Sequence, residues 1–265
     1  MEENLGGRGV VILALSSIIL KLLSALYMPI LSQILTDDGV AIYTVGYDVF
    51  VFLFALTSLG FQPVITKLVA EQRAKESDVN ALNIFKISKK VLFIYGGIVS
   101  VLFVILAKPI SILLNSKESM LVFVFLSPAI LFASILTAYR GFFQGYNEMI
   151  ALSISNIIEQ LLNVIFSILF AFQLMKLSTS WGSTGGTIGT TLGAIGAIIY
   201  IRHILNKKYK LSSLLSDNSE SRKIKKLRNN EILKKFICDS NSIYINSCYT
   251  KYIWSYIFVY SKNFY

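Results

Sequence analysis

Histidine is nearly absent: His203 is the single one in 265 residues. It lies beside the last long apolar run, where an ordinary interfacial side chain is expected. One histidine excludes the paired-His motifs of metalloenzymes and leaves no Ser/His/Asp set to assemble. Lipid-modifying membrane enzymes generally need such clusters, so the chain reads as a non-enzyme with no cofactor and no metal. The two cysteines, Cys238 and Cys248, sit near the C-terminal end without metal-ligand spacing or secretory context, so neither a disulfide nor a metal site is read from them. Charge is also scarce. Charged residues make up 15% of the chain and apolar ones 54%, against about 25% charged in a typical soluble domain.

What remains is a series of long apolar runs, at residues 10–31, 41–65, 91–107, 120–138, 150–172 and 182–201. Most approach the ~20 residues that cross a ~30 Å hydrocarbon core as a helix. None shows the polar–apolar alternation of a barrel strand. The expectation is an all-α, polytopic membrane protein with six transmembrane helices. A buried soluble core would need a polar shell that this chain lacks. The first run is read as a span and not as a cleaved signal peptide. Its flank carries Glu2 and Glu3 against Arg8, and no small-x-small site follows. The four prolines, Pro29, Pro63, Pro109 and Pro128, fall in or at the ends of spans, where they kink or stop helices.

Basic residues alternate between loops. The first loop has none. The second holds Lys67, Arg73, Lys75, Lys86, Lys89 and Lys90. The third has Lys108 and Lys117, the fourth Arg140, the fifth Lys176, and Arg202, Lys207, Lys208 and Lys210 follow the last run. This pattern predicts an even number of spans with both termini in the cytoplasm. The net charge of +10 is then accounted for by that bias and by attraction to anionic headgroups, without nucleic acid.

Three segments follow from composition. Residues 1–205 form one transmembrane lobe. Residues 206–237 are a basic cytoplasmic linker, too polar to span. Residues 238–265 lack Gly, Ala, Leu and Pro and are rich in Ser, Asn, Ile, Tyr and Lys. That tail fits either an interfacial aromatic segment or translation in a shifted frame of AT-rich DNA.

Polar residues inside the runs are the functional candidates, since a charge at a helix centre costs about 2.5–3.5 kcal/mol on insertion scales. Glu159 lies about nine residues into the fifth run, with Gln160 and Asn163 beside it. Lys21 lies at similar depth in the first. The expectation is a polar cavity lined by Lys21, Glu159, Gln160, Asn163 and Asp48, in which Lys21 attracts an anionic headgroup. Glu159 then either holds Lys21 or carries a proton or cation; a static interhelical salt bridge is the plainer alternative. Arg140, Gly141 and Gln144 read as an anchoring or phosphate-binding turn. Lys67 and Glu71, four apart, read as a surface pair. The sixth run carries Gly182, Gly185, Gly186, Gly189, Gly193 and Gly196, a small-residue stripe for close helix packing and not a phosphate loop.

Two stretches resemble the stage V sporulation protein B family of polysaccharide-biosynthesis flippases, within the multidrug/oligosaccharidyl-lipid/polysaccharide superfamily. One runs from residue 20 to 72 and carries Lys21, Pro29, Gly39, Tyr43, Tyr47, Gly60, Pro63 and Lys67 to Glu71. The other begins at Tyr139 and carries Arg140, Gly141, Gln144, Gly145, Glu159 and Gln160. The resemblance covers about residues 8–205. It implies one lobe of a two-lobe flippase working by alternating access on a lipid-linked sugar pyrophosphate, tied in sporulating bacteria to spore cortex peptidoglycan. It also implies a second lobe or a second copy as partner. Ser24 and Met28 stand where the family tends to carry a Gly and a further basic residue, which shifts phosphate recognition onto Lys21 and Arg140. Two alternatives stay open: a cation-coupled multidrug exporter of the same superfamily, and a non-transporting membrane fragment.

Overall fold

The structure, a computed structural model, describes residues 3–208. The linker beyond that point, the 238–265 tail and both cysteines lie outside the described residues. Among the described residues all regular structure is helical: α1 (Glu3–Ile34), α2 (Asp37–Phe54), a π-helical turn (Ala55–Leu59), α3 (Phe61–Ala74), α4 (Asp78–Leu113), α5 (Ser119–Gly145), α6 (Met149–Leu174) and α7 (Thr179–Lys208). Five of these, α1, α4, α5, α6 and α7, are long and apolar enough to cross a membrane. The second expected span falls on the stretch from α2 through the π turn into α3, which is not one of these five. The protein is a multi-pass membrane protein.

The helix ends follow local chemistry. Thr36 caps α2 by accepting from the Gly39 amide, and Asp37 and Asp38 in the first turn complement the helix dipole. Glu76, Asn115 and Asn147 take the left-handed conformation, with φ of 53°, 52° and 59°. Each closes a helix with paired bonds to its last turn, as in Ser77 N–H to Gln72 C=O and Glu148 N–H to Phe143 C=O. Antiparallel neighbours therefore alternate. The turns at 75–77 and 146–148 and the end of α7 share one end of the bundle, which gathers most of the basic residues and is called the basic end here.

Helix α7 is central and packs on α6, α5 and α2, while α1 packs on α6 and α4 on α5. The glycine stripe of α7 is what allows this. A Cβ at Gly185, Gly189 or Gly193 would lie 2.5, 2.2 and 2.5 Å from backbone oxygens of Phe170, Asn163 and Glu159 in α6. The packing reading of the stripe therefore holds in the geometry.

The core divides in a way that shapes the site. At the end opposite the basic one, α1, α2 and α6 converge on Tyr27, Leu31, Leu35, Tyr43 and Ala171. Tyr27 Oη donates to the Gly186 carbonyl at 2.9 Å and lies 3.3 Å from Tyr43 Oη. At the basic end the core is built from α3, α4, α5 and α7 with the first turn of α6. Past the π turn, α3 packs on α4 and α5, whereas α1 packs on α6.

Candidate functional site: polar side chains on α1, α3, α5 and α6

Arg140 lies on α5 and Glu159 on α6. Their side chains meet at 2.5 Å, Arg140 Nη2 donating to Glu159 Oε2, and are 16% and 28% exposed. Glu159 is ten residues past Met149 along α6, about 15 Å of rise, which is membrane depth. Arg140 Nε is buried with no hydrogen-bond partner among the described residues, so the guanidinium is satisfied on one side only. Tyr47 of α2 lies within electrostatic reach of Glu159. It belongs to a ladder of rings along α2, stacked on Tyr43 at 5.6 Å and followed by Phe50 and Phe54.

Two expectations are corrected. Arg140 and Gln144 do not form a turn: α5 runs unbroken through Gly145, and the chain reverses at Tyr146 to Glu148. Gly141 and Gly145 serve a close approach to α3, where a Cβ would lie 2.8 Å from Ile65 Cβ and 2.7 Å from Val69 Cβ. Second, the partner of Glu159 is Arg140 and not Lys21. A long Arg on α5 reaches the carboxylate directly, whereas Lys21 projects from the edge of α1 and is exposed, with no ion pair among the described residues. Asp48 is likewise exposed.

The other predicted residues fall into three small groups. Gln160 Nε2 donates to Ser24 Oγ at 3.1 Å, tying α6 to α1. Lys21 is one helical turn from Ser24, on the same edge of α1. Asn163 Oδ1 accepts from Ser167 Oγ at 3.0 Å and Thr190 Oγ1 at 3.4 Å and so serves the α6–α7 contact. Gln144 Oε1 accepts from Gln62 Nε2 at 2.9 Å and Thr66 Oγ1 at 3.3 Å. Gln144, Gln62, Pro63, Thr66 and Lys67 line a cleft of about 460 Å³. Sequence reading missed Gln62, Thr66 and the role of Ser24. The spacing of Gln62 and Thr66, four apart on one helix face, was the available signal.

The geometry thus sets a cation–carboxylate pair, a set of neutral amides and hydroxyls, and an exposed lysine on α1, α3, α5 and α6. It fits an anionic, hydroxyl-rich headgroup better than an apolar ligand, since amides and hydroxyls both donate and accept. The family model for polysaccharide biosynthesis proteins matches residues 7–227. The chain belongs to this family. Three curated Bacillus subtilis proteins are similar to it. Stage V sporulation protein B is 22% identical over 195 residues, covering 73% of this chain and 38% of the relative. The lipid II flippase MurJ is 25% identical over 179 residues, covering 64% and 33%. The uncharacterized membrane protein YabM is 28% identical over 191 residues, covering 70% and 35%. This chain therefore spans between 33% and 38% of the length of these relatives. A crystal structure of a MATE protein in complex with MaD3S superposes with a TM-score of 0.63 at 16% identity, covering 90% of this chain and 54% of that one. That likeness establishes the fold as one lobe's worth of the MATE arrangement.

Proposed function

We propose that the chain is one lobe of a flippase that moves a lipid-linked sugar precursor bearing a pyrophosphate across the cell membrane by alternating access. The second half of the path comes from a second lobe or a second copy. The observation that carries this reading is the division of labour between the two membrane-depth cations. Arg140 neutralises Glu159, which leaves Lys21 as a charge without a carboxylate among the described residues, next to the Gln160–Ser24 contact. An uncompensated ammonium at that depth is costly unless an anion visits it. The named relatives, a lipid II flippase and a sporulation protein, support the substrate class. By the positive-inside bias, the basic end faces the cytoplasm, the side where precursors are made.

In this reading the Tyr27–Tyr43–Gly186 contact is the closed end of the half-path. The π turn before α3 is where the second span changes neighbours; such turns recur at functional positions in helices. Lys21 meets the pyrophosphate. Gln62, Thr66 and Gln144 meet sugar hydroxyls. The Arg140–Glu159 pair holds α5 to α6 while the lobe moves as a body.

The test is accessibility of a fluorescent polyprenyl-pyrophosphate sugar in proteoliposomes containing this chain, alone and with a second lobe from a longer relative. Translocation that is lost in Lys21→Ala is expected. Unchanged translocation in that variant, or export of an organic cation that survives it, would favour the cation-coupled exporter instead.

A further inference from the structure

A second cationic cluster lies at the basic end, on residues other than those of the proposed path. Lys89 of α4 sits over two rings, 5.6 Å from the centroid of Phe85 and 5.7 Å from that of Tyr139 on α5. Lys86, one turn earlier on α4, and Arg202 on α7 both lie within electrostatic reach of Lys89, and Arg202 also of Tyr139. Helix α5 packs against both α4 and α7, so Tyr139 lies between two helices that each bring cations near it. None of the three cations has a carboxylate partner among the described residues; Glu148 nearby is taken by Lys208. Three like charges brought together without a counter-ion repel one another, and an anion among them removes that cost.

The neighbouring surface of α4 and α7 is apolar. On α4, Phe93, Ile94 and Ile98 are 54%, 51% and 55% exposed, and Ile199 on α7 is 64% exposed. A free anion has no use for such a surface, whereas acyl chains do. We propose that Lys86, Lys89 and Arg202, grouped around Tyr139, bind the phosphate of an anionic membrane lipid whose chains lie along α4 and α7. This site is separate from the Arg140–Glu159 face and does not depend on the transport reading. A bound lipid there would bridge α4 and α7 across α5 and act as a structural ligand of the lobe.

The experiment is a titration of the delipidated 265-residue chain in detergent with phosphatidylglycerol, phosphatidylcholine or inorganic phosphate, read by native mass spectrometry and by the melting temperature. Phosphatidylglycerol is expected to bind and raise the melting temperature, and the other two to do neither. Lys89→Gln with Arg202→Gln is expected to weaken binding on the order of 30-fold, about fivefold per cation. Arg202→Gln alone, at an exposed position that folding tolerates, is expected to lose about fivefold. Lys90→Gln, which removes an exposed charge next to Lys89, should leave binding unchanged. Equal binding of phosphatidylcholine, an equal loss in Lys90→Gln, or no loss in Arg202→Gln would overturn the proposal. Binding of phosphate alone with the same dependence on Arg202 would overturn the assignment to a lipid.

Discussion

At the scale of single residues, the informative fact is which cation meets which carboxylate. Glu159→Gln leaves the Arg140 guanidinium partly buried without its counter-ion. The expected cost is about 1–3 kcal/mol, the range for a lost charge-assisted hydrogen bond. The double variant Arg140→Gln with Glu159→Gln should recover most of it, because two neutral amides can pair. Melting temperatures in detergent check this; additive losses would mean that the pair does not interact in the membrane protein. Tyr27→Phe removes the bond to the Gly186 carbonyl and should cost about 1 kcal/mol, with looser contact among α1, α2 and α7. Increased hydrogen exchange near Gly186 would be the sign. The sequence made Glu159, Gln160 and Asn163 conspicuous because polar side chains are rare in apolar runs. It did not reveal their partners, because partners across helices depend on helix rotation. A run of apolar residues exposed to lipid on one side and to protein on the other has little periodicity to fix that rotation.

At the scale of elements, glycine decides how close helices come. Gly189→Leu should separate α6 from α7, since even a Cβ there would sit 2.2 Å from the Asn163 carbonyl oxygen and 2.3 Å from Ser167 Oγ. Gly97→Ala is the matched control, because its Cβ would meet nothing nearer than 3.9 Å. Loss of monodisperse protein on size exclusion for the first and not the second is expected; equal behaviour would refute the role of the stripe. The α7 stripe was readable because six glycines stand in one span. The equivalent pair on α5, Gly141 and Gly145, was hidden by its neighbours. Arg140 and Gln144 drew the reading toward a phosphate turn, although Asn147 followed as a signal for the helix end. The six runs located the helices, but the break between α2 and α3 left no mark in hydropathy. A π turn changes the backbone bonding without changing composition.

At the scale of the whole molecule, membrane class, helical fold and family were all legible, because bilayer thickness and loop charge constrain a sequence strongly. The working assembly was not, since this chain spans about a third of its relatives' length. Residues along α1 such as Leu22 and Leu26, 60% and 63% exposed, are expected to approach the second lobe or copy. In a cysteine-free background, Leu26→Cys, with a cysteine also placed on the partner (in a second copy, its own Leu26→Cys) and an added oxidant to take up the two electrons, should therefore form an interchain disulfide in membranes, visible on a non-reducing gel. Its absence with every partner tried would leave that face to lipid.

The most direct measurement is the translocation rate of a polyprenyl-pyrophosphate sugar by the assembled transporter, with Lys21 and with Lys21→Ala. The account predicts at least a tenfold loss, because one phosphate contact by a cation at membrane depth is worth about 1.4 kcal/mol or more. A Lys21→Ala protein that folds, assembles and flips the precursor at the original rate would contradict it.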